Sequence, residues 1–331
     1  MSAATAGPAV TGTVRVTIAV PTYRRPDGLR TALPLLLDQA RAVGGRYLAD
    51  VLVVDNDPGG SGAAVVAELA APELRYVGEP TPGIAAVRNR AIDEAGDSRL
   101  LVFIDDDERP MPAWLASLVG TWEATGATAV AGRIVAEFAG ELDPWLRAGD
   151  FWRRPSMPSG TPVDVVATGS LLLDLEQLRR AGVRFSAELG LGGGEDTLFS
   201  HVLARAGGRM VWCDESVAVD AVPPDRMTRS WIVTRMCSQG NTTVLVELRL
   251  AGSRWARTSV RARGVAGGLL RVAVGAGRCA LGELVGSDRH RARGLRVACR
   301  GAGMVAGGCG VAFHEYARDG RRWRLAWGGA R

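Results

Sequence analysis

Short apolar runs alternate with helix-like stretches over the first hundred residues of the chain. The segments VRVTIAVPT (14–22) and DVLVVDND (50–57) are apolar runs that end in turn-forming residues, and RLLVFIDDDE (99–108) is the most continuous of the three. Between them, the apolar positions of 26–43 and 83–97 recur at helical spacing. Continuous apolar strands that alternate with helices are typical of a parallel sheet covered on both faces. We therefore predict an α/β fold with a mostly parallel central sheet.

Polar side chains follow each of these three runs. They are Thr22 with Tyr23, then the stretch 55–57 (Asp-Asn-Asp), and then the acidic triplet, which is Asp105, Asp106 and Asp107. In open α/β sheets, ligands bind beyond the carboxyl ends of the strands. The sequence thus predicts a ligand site at this edge of the sheet.

The acidic triplet concentrates negative charge directly behind an apolar strand, and Arg109 is the first basic residue after it. A hard divalent cation takes oxygen ligands, which it commonly shares with phosphate oxygens and water. Aspartate clusters also cap loops through their own backbone. On the residues alone, a metal site and a solvated turn are equal alternatives.

The second half of the chain is less regular. A stretch rich in Trp, Pro and Gly over 137–160 predicts a long loop, and 163–182 predicts a strand followed by a helix. A further helix is predicted to begin at the pair Glu195-Asp196. Beyond residue 250, Gly, Ala and Arg dominate. We predict a basic, mainly helical extension over 251–331, and a disordered N-terminus over 1–12.

Composition narrows the class of protein. The chain has 331 residues, enough for one large or two smaller domains, and its 47% hydrophobic and 23% charged residues are ordinary for a soluble globular protein. The five cysteines form no Cys-x-x-Cys pair, which indicates a reducing compartment with neither a disulfide framework nor a zinc cluster. The N-terminus lacks the charged and apolar regions of a signal peptide, and the apolar run 301–313 is too short to span a bilayer. We therefore expect a cytoplasmic protein, either soluble or peripheral on the inner face of the plasma membrane.

Charge is unevenly distributed along the chain. Residues 251–331 contain 16 Arg and 4 acidic residues, whereas 1–250 contain 24 Arg and 31 acidic residues. A basic tail on an acidic body favours an anionic partner surface. Arg254, Arg257 and Arg261 share a helical face that suits anionic lipid, and a solvated basic face is the equal alternative. Nucleic acid is disfavoured as a partner, since no recognised binding motif accompanies the charge.

Five segments in this order resemble the family 2 glycosyltransferases of the GT-A fold, over residues 13–250. The segments are VTIAVPTYRRPDGL, VLVVDNDP, PGIAAVRNRAI, LVFIDDDERP and GLGGGEDTLFSHVL. The likeness is to the non-processive branch that builds bacterial polysaccharides and glycosylated metabolites. The resemblance implies a Rossmann-like sheet, an inverting transfer of one sugar from a nucleoside diphosphate donor, and a requirement for Mg²⁺ or Mn²⁺.

The resemblance also implies roles for individual residues. Residues implied to bind the nucleotide or donor are Pro21, Thr22, Tyr23, Arg25, Asp55, Asp57, Arg88, Asp105 and Asp106. Asp107 is implied to ligate the metal, and Asp196, beside Glu195, is implied to be the catalytic base. The chemistry agrees, because single displacement needs one base for the acceptor hydroxyl and no covalent nucleophile. Ser170 stands where relatives often carry Asn, so the chain departs from the family pattern at a position that contacts the donor sugar in those relatives.

Acceptor contacts are the least specific of these predictions. Trp145 and Trp152 suit stacking on a sugar, and anchoring of the 137–160 loop is the equal alternative. Gly193 and Gly194 let the backbone approach a sugar closely. The predicted acceptor is a hydroxyl of a saccharide, a lipid-linked saccharide or a small molecule, and the predicted donor nucleotide is UDP. The competing hypotheses are a nucleotidyltransferase acting on sugar phosphates and a non-catalytic sugar-binding scaffold.

Overall fold

The computed structural model describes residues 12–189, 192–314 and 323–325, the last of these by their backbone alone. The N-terminus predicted to be disordered lies outside these residues, apart from Gly12. The chain divides into two compact units. The first comprises 1–137, 154–187 and 199–221, and the second comprises 138–153, 188–198 and 222–331.

The first unit is built on an eight-stranded sheet in the order β3-β2-β1-β4-β7-β6-β8-β5. Its strands are β1 (Val14–Thr22), β2 (Tyr47–Asp55), β3 (Leu74–Gly78), β4 (Leu100–Ile104), β5 (Glu108–Pro110), β6 (Ala129–Phe138), β7 (Ser170–Asp174) and β8 (Met210–Val222). The pairs among β3, β2, β1 and β4 are parallel, whereas β7 runs antiparallel to both β4 and β6, and β5 runs antiparallel to β8.

Helices are present where the apolar periodicity predicts them over 26–43 and 83–97, and further helices lie elsewhere in the chain. They are α1 (Pro26–Ala42), α2 (Ala63–Leu69), α3 (Ile84–Glu94), α4 (Trp114–Thr125), α5 (Pro144–Gly149), α6 (Leu175–Ala181), α7 (Glu195–Arg205), α8 (Arg229–Leu250), α9 (Arg254–Leu284) and α10 (Asp288–Gly308). Pro34 lies inside α1, which continues through it. Thr228 begins α8 by accepting a hydrogen bond from the Trp231 N–H at 3.2 Å.

Two apolar clusters cover the two faces of the sheet in the first unit. One joins β1, β2 and β4 to α1 and α4 through residues such as Ile18, Leu33 and Trp114. The other joins the opposite face to α3 and α6, and it includes Phe103 and Phe185. Strands buried on both faces explain why β1, β2 and β4 have continuous apolar runs rather than alternating patterns. The predicted α/β class is confirmed.

The second unit is mainly helical and is formed largely by α8, α9 and α10. Asn241 of α8 is fully buried, and its Nδ2 donates to the carbonyl of Val311 at 2.7 Å, while its Oδ1 accepts from the Phe313 N–H at 2.8 Å. These bonds tie α8 to the short strand β9 (Val311–Phe313), which pairs with β10 (Trp323–Leu325). The helical extension predicted beyond residue 250 is therefore present over its described part.

The stretch 137–160, predicted as a loop, contains one helix. Asp143 caps α5 by accepting hydrogen bonds from the backbone N–H groups of Trp145 and Leu146. Pro144 occupies the first helical position, where a missing N–H costs nothing. A helix of six residues is too short to show a periodic pattern, so the sequence reading missed it.

Candidate active site

The strand register brings the predicted polar residues to one edge of the sheet. Thr22, the last residue of β1, is paired with Asp55, the last residue of β2. The acidic triplet follows β4, which lies beside β1 on its other side. Parallel strands end at the same edge, so these three groups converge as the sequence predicted.

Asp55 is fully buried, and its carboxylate accepts three hydrogen bonds within the first unit. The donors are the Asp57 N–H at 2.9 Å, the Gly62 N–H at 2.7 Å and the Tyr76 hydroxyl at 3.2 Å. Together they hold the carboxylate at the start of the turn that follows β2. Burial of the Tyr76 hydroxyl, together with the neighbouring Asp55 carboxylate, raises the pKa of Tyr76 to about 12.

Asn56 was not predicted as a site residue, yet it organises the loop before α3. Its Nδ2 donates to the carbonyls of Glu79 and Thr81 at 2.7 Å, and its Oδ1 accepts from the Gly83 N–H at 3.1 Å. Gly83 begins α3, the helix that carries Arg88. The side chain of Asn56 thereby couples the end of β2 to the position of Arg88. Sequence spacing gave no sign of this, because the contacts join separate loops.

The acidic triplet is joined to β1 and α1 by hydrogen bonds and ion pairs. The Thr22 hydroxyl donates to Asp106 Oδ2 at 2.7 Å. Arg25 Nη1 lies 3.0 Å from Asp106 Oδ1 and 2.7 Å from Asp107 Oδ2. Gly28 permits this approach, since a Cβ there would lie 2.6 Å from the Asp106 carbonyl oxygen. Asp106 is thus held both by the end of β1 and by the residue before α1.

Burial sets the protonation behaviour at the start of the triplet. Desolvation raises the pKa of Asp105 to about 6, against the opposing influence of the Arg88 guanidinium. Glu108 is buried beneath the turn, where its Oε2 accepts from the Asp105 N–H at 3.3 Å, and desolvation raises its pKa well above the ordinary value. Arg88 is itself buried and lies 5.5 Å above the ring of Phe185. The Arg88 guanidinium therefore lies near enough to Asp105 to act on its carboxyl, beside the apolar ring of Phe185.

The remaining predicted donor residues lie at the end of β1 and on the turns that follow β1 and β2. Pro21 is buried in β1, and the ring of Tyr23 is partly exposed beneath the Arg24 guanidinium at 5.2 Å. Asp57 accepts from Arg24 Nε at 3.3 Å and from the Gly59 N–H at 3.3 Å. Asp57 therefore sits with Arg24 at the rim, while Asp55 is in the interior.

The donor atoms at the triplet suit a hard divalent cation. The Asp107 carboxylate is one-quarter exposed and the Asp106 carboxylate is nearly buried, and both present oxygen atoms. Among the described residues, no group of three His, Cys, Asp or Glu side chains converges to hold a metal alone. Mg²⁺ is commonly bound through one or two carboxylates, with water and substrate phosphates completing the shell. The residues present fit that arrangement.

The side chain of Ser170 lies in the protein core. It is buried at the start of β7, and its hydroxyl accepts a hydrogen bond from Trp114 Nε1 at 2.9 Å. It lies opposite Ile104, the last residue of β4, so its backbone is near the triplet.

The predicted base lies in the second unit. Glu195 and Asp196 begin α7; Glu195 is buried and Asp196 is partly exposed. Asp196 Oδ1 accepts from the Thr197 N–H at 2.6 Å, which is the arrangement of a carboxylate at a helix N-terminus. Gly194 precedes them with φ +97°, and a Cβ there would lie 2.1 Å from Thr242 Cγ2. Close packing against α8 is thus one structural reason for a glycine at position 194. Gly193, the preceding residue, is partly exposed.

Packing accounts for both predicted acceptor tryptophans. Trp145 is buried in a cluster with Leu146, Ile232 and Met236, and the Arg229 guanidinium lies 5.1 Å over its ring. Trp152 stacks on Trp231 with ring centroids 6.1 Å apart and planes 4° apart. The structure therefore favours the anchoring alternative over sugar stacking. The reason is tertiary, since Trp231 lies about eighty residues further along the chain.

A mixed, mostly parallel α/β sheet with carboxylates beyond the ends of its parallel strands is consistent with the GT-A fold, and comparison with known proteins gives the family. Residues 17–169 match the model described as Glycosyl transferase family 2. The chain is 34% identical over 235 residues to the succinoglycan biosynthesis protein ExoM of Rhizobium meliloti (strain 1021). The aligned region covers 70% of this chain and 74% of ExoM. The chain belongs to the family 2 glycosyltransferases and is a glycosyltransferase.

Solved structures agree on the fold. One is the mannosyltransferase PcManGT from Pyrobaculum calidifontis in complex with GDP-Man and Mn²⁺, with a TM-score of 0.57 and 20% identity over 90% of this chain and 88% of that one. Another is S. aureus TarS 1–349, with a TM-score of 0.53 and 13% identity over 75% of this chain and 68% of that one. At these identities the likeness establishes the GT-A fold.

Proposed function

We propose that this glycosyltransferase moves a single sugar, with inversion, from a nucleoside diphosphate sugar to a hydroxyl of a saccharide, lipid-linked saccharide or small-molecule acceptor. UDP is the nucleotide we favour. The proposal rests on one observation above all, the convergence of Asp55, Arg25, Arg88 and the acidic triplet at the carboxyl edge of the parallel strands. The ExoM likeness supports a saccharide acceptor, since its name places it in polysaccharide biosynthesis.

Each donor-site group has a chemical task in this proposal. Asp55, held by three hydrogen bonds, accepts from the nucleobase, and Asp105 with Arg88 faces the ribose or the sugar. Arg25 supplies two-pronged cationic donors suited to a diphosphate as well as to Asp107. Asp107, with Asp106 beside it, would hold Mg²⁺ or Mn²⁺. When bound, such an ion offsets the negative charge that develops on a departing diphosphate.

The transfer step needs one proton acceptor. Asp196 takes the proton of the acceptor hydroxyl as its oxygen bonds to the anomeric carbon, while the bond from that carbon to the diphosphate oxygen breaks. The nucleoside diphosphate leaves with the electron pair, and the configuration at the anomeric carbon inverts. The partial exposure of Asp196 at the start of α7 supports this assignment, which rests on the match of the Glu195-Asp196 pair to the family's motif.

A hydrolysis and transfer screen tests the activity. UDP-, GDP- and TDP-linked sugars are offered with Mg²⁺ or Mn²⁺, and release of the nucleoside diphosphate is measured with and without saccharide acceptors. We expect release from at least one donor, dependent on the metal. If none of the donors is turned over or bound, the donor-site assignment is wrong.

Variants separate the base from the metal ligand. Asp196→Asn should lower turnover by about 10²–10⁴-fold with donor binding retained. Asp107→Ala should weaken nucleotide binding with Mn²⁺ and leave binding without Mn²⁺ much less affected. Asp27→Asn, at an exposed carboxylate of α1, is the matched control and should behave as wild type. Wild-type turnover by folded Asp196→Asn would contradict the base assignment.

A further inference from the structure

Helix α9 has one face that is closed by α10. Along it the residues are mostly glycines at spacings of four and seven, namely Gly264, Gly268, Gly275 and Gly282. A Cβ at Gly268 would lie 2.7 Å from the Gly301 carbonyl oxygen, and a Cβ at Gly275 would lie 2.5 Å from the Ala298 nitrogen. The backbones of α9 and α10 are therefore in direct contact, and this side of α9 has no room for a ligand.

The opposite face of α9, which we call the apolar face, is exposed. Leu269, Leu270, Val274, Leu281 and Leu284 are 46–85% exposed and recur at helical spacing, with alanines and a glycine between them. Together these positions extend about 22 Å along the helix. Soluble proteins rarely expose an apolar strip of this extent without a partner for it.

Charged residues are absent from the centre of the apolar face. Between Gly264 and Gly282 the charged residues are Arg271 and Arg278, seven positions apart. Arg271 is directed to the α10 side, since a Cβ at Gly301 of α10 would lie 2.8 Å from Arg271 Cβ. The apolar face is thus bordered by arginines rather than interrupted by them.

We propose that the apolar face of α9 docks the protein on an anionic lipid bilayer, with the surrounding arginines at the headgroups. Residues 254–308 contain 11 Arg and two acidic residues, Glu283 and Asp288, so the charge complements anionic lipid. At the start of the helix, Trp255 is 86% exposed, in the position where tryptophan favours a membrane interface. This inference is independent of the sugar-transfer proposal.

The geometry favours surface docking over a transmembrane arrangement. Among the described residues, α9 is the one helix long and apolar enough to cross a membrane by length and composition. It is packed along α10, which carries five arginines, so that crossing would draw those charges into hydrocarbon. A helix that lies in the interface buries its apolar side and keeps its arginines in the headgroup region.

The charge around the apolar face of α9 also argues against a dimer in which a second copy of the chain covers that face. A symmetric dimer formed through this face would bring two arginine-rich borders together, which like-charge repulsion opposes. The row Arg254, Arg257 and Arg261, predicted from sequence to meet lipid, is a weaker candidate. Arg257 Nε donates to the Ala251 carbonyl at 3.4 Å and Arg261 Nη1 donates to the Gly308 carbonyl at 3.1 Å.

Vesicle sedimentation tests the docking of the full chain. Phosphatidylcholine vesicles with and without phosphatidylglycerol are compared for the wild type and for Leu270→Glu/Val274→Glu, both at exposed positions. We expect the wild type to pellet with the anionic vesicles, and the double variant to lose about tenfold or more in partitioning. Leu48→Glu, at a 62% exposed position of β2, is the matched control and should pellet as wild type.

Two further readouts keep the outcome decisive. Brominated lipid should quench part of the wild-type tryptophan fluorescence, and Trp255→Phe should abolish that part. Light scattering of the lipid-free protein reports the second-copy alternative. Equal pelleting of the wild type and the folded double variant, or a wild-type dimer that the double variant dissociates without any vesicle binding, would overturn the proposal.

Discussion

Arg25 Nη1 lies 2.7 Å from Asp107 Oδ2, so the residue before α1 carries the counter-charge of the carboxylate that ends the acidic triplet. The same nitrogen also lies 3.0 Å from Asp106 Oδ1. One guanidinium therefore compensates two adjacent carboxylates at the site where a diphosphate and a divalent cation would meet. The chain itself therefore supplies part of the positive charge that the proposed cation would add.

Arg25→Ala should make the stability of the protein more dependent on a divalent cation. Two carboxylates lose their counter-charge, which we expect to cost about 1 kcal/mol because the pair is partly exposed. Mn²⁺ should restore this loss by replacing the missing positive charge. Thermal unfolding with and without Mn²⁺ measures the effect. The control is Arg24→Ala, whose side chain is 66% exposed and pairs with Asp57; an equal Mn²⁺ shift in both variants and the wild type would contradict the account.

Asp55→Asn should destabilise the protein more than Tyr76→Phe does. In the aspartate, one carboxylate oxygen accepts from the Asp57 N–H and the other from the Gly62 N–H. The amide of asparagine has a single acceptor oxygen, so one of these buried N–H groups loses its acceptor, at a cost of about 1–3 kcal/mol. Tyr76→Phe removes one hydrogen bond of 3.2 Å from a partly buried position and should cost about 0.5–1.5 kcal/mol. Urea unfolding compares the two free energies. The reverse order would mean that Asp55 is not held by the turn as described.

Gly194→Ala should destabilise the protein by two separable effects, a positive φ and a clash with Thr242. Strain at φ +97° costs about 1–3 kcal/mol for a residue with a Cβ. Adding Thr242→Ala removes the Cγ2 atom that the new Cβ would meet and should recover part of the loss. The double-mutant cycle is measured by urea unfolding. A cycle with no coupling energy would show that the contact at 2.1 Å relaxes freely.

Cys237 should react as a thiolate at lower pH than an ordinary cysteine. A hydrogen bond from Cys299 on α10 stabilises the thiolate and lowers the pKa of Cys237 to about 7, while the pKa of Cys299 is raised. The rate of alkylation at Cys237, followed by mass spectrometry, should therefore reach half its maximum near pH 7. In Cys299→Ala the donor is lost, and the midpoint should rise toward the ordinary value of about 8.5. Identical profiles would rule out the hydrogen bond as the cause; exposed Cys309 provides an internal reference for reagent activity.

Much of the first unit is readable from local patterns. Continuous apolar runs predict β1, β2 and β4, because strands buried on both faces have no polar alternation. Turn residues at the ends of those runs predict where Thr22, Asp55 and the acidic triplet meet, because parallel strands end at a common edge. By contrast, the contacts of Asn56 with the 79–83 loop join segments about twenty-five residues apart and have no signature in sequence spacing.

The sequence by itself determined the α/β class, the family resemblance and the polar residues that meet at the carboxyl edge of the parallel strands, because periodicity and short motifs encode local structure and chemistry. Tertiary structure decided what those residues touch. In the folded protein, the Asp106 carboxylate is nearly buried whereas the Asp107 carboxylate is one-quarter exposed. The ring of Trp152 stacks on that of Trp231, and the glycines of α9 bring its backbone into contact with α10. The apolar face of α9 emerged only there, since which side of an Ala- and Leu-rich helix stays exposed depends on the helix it packs against.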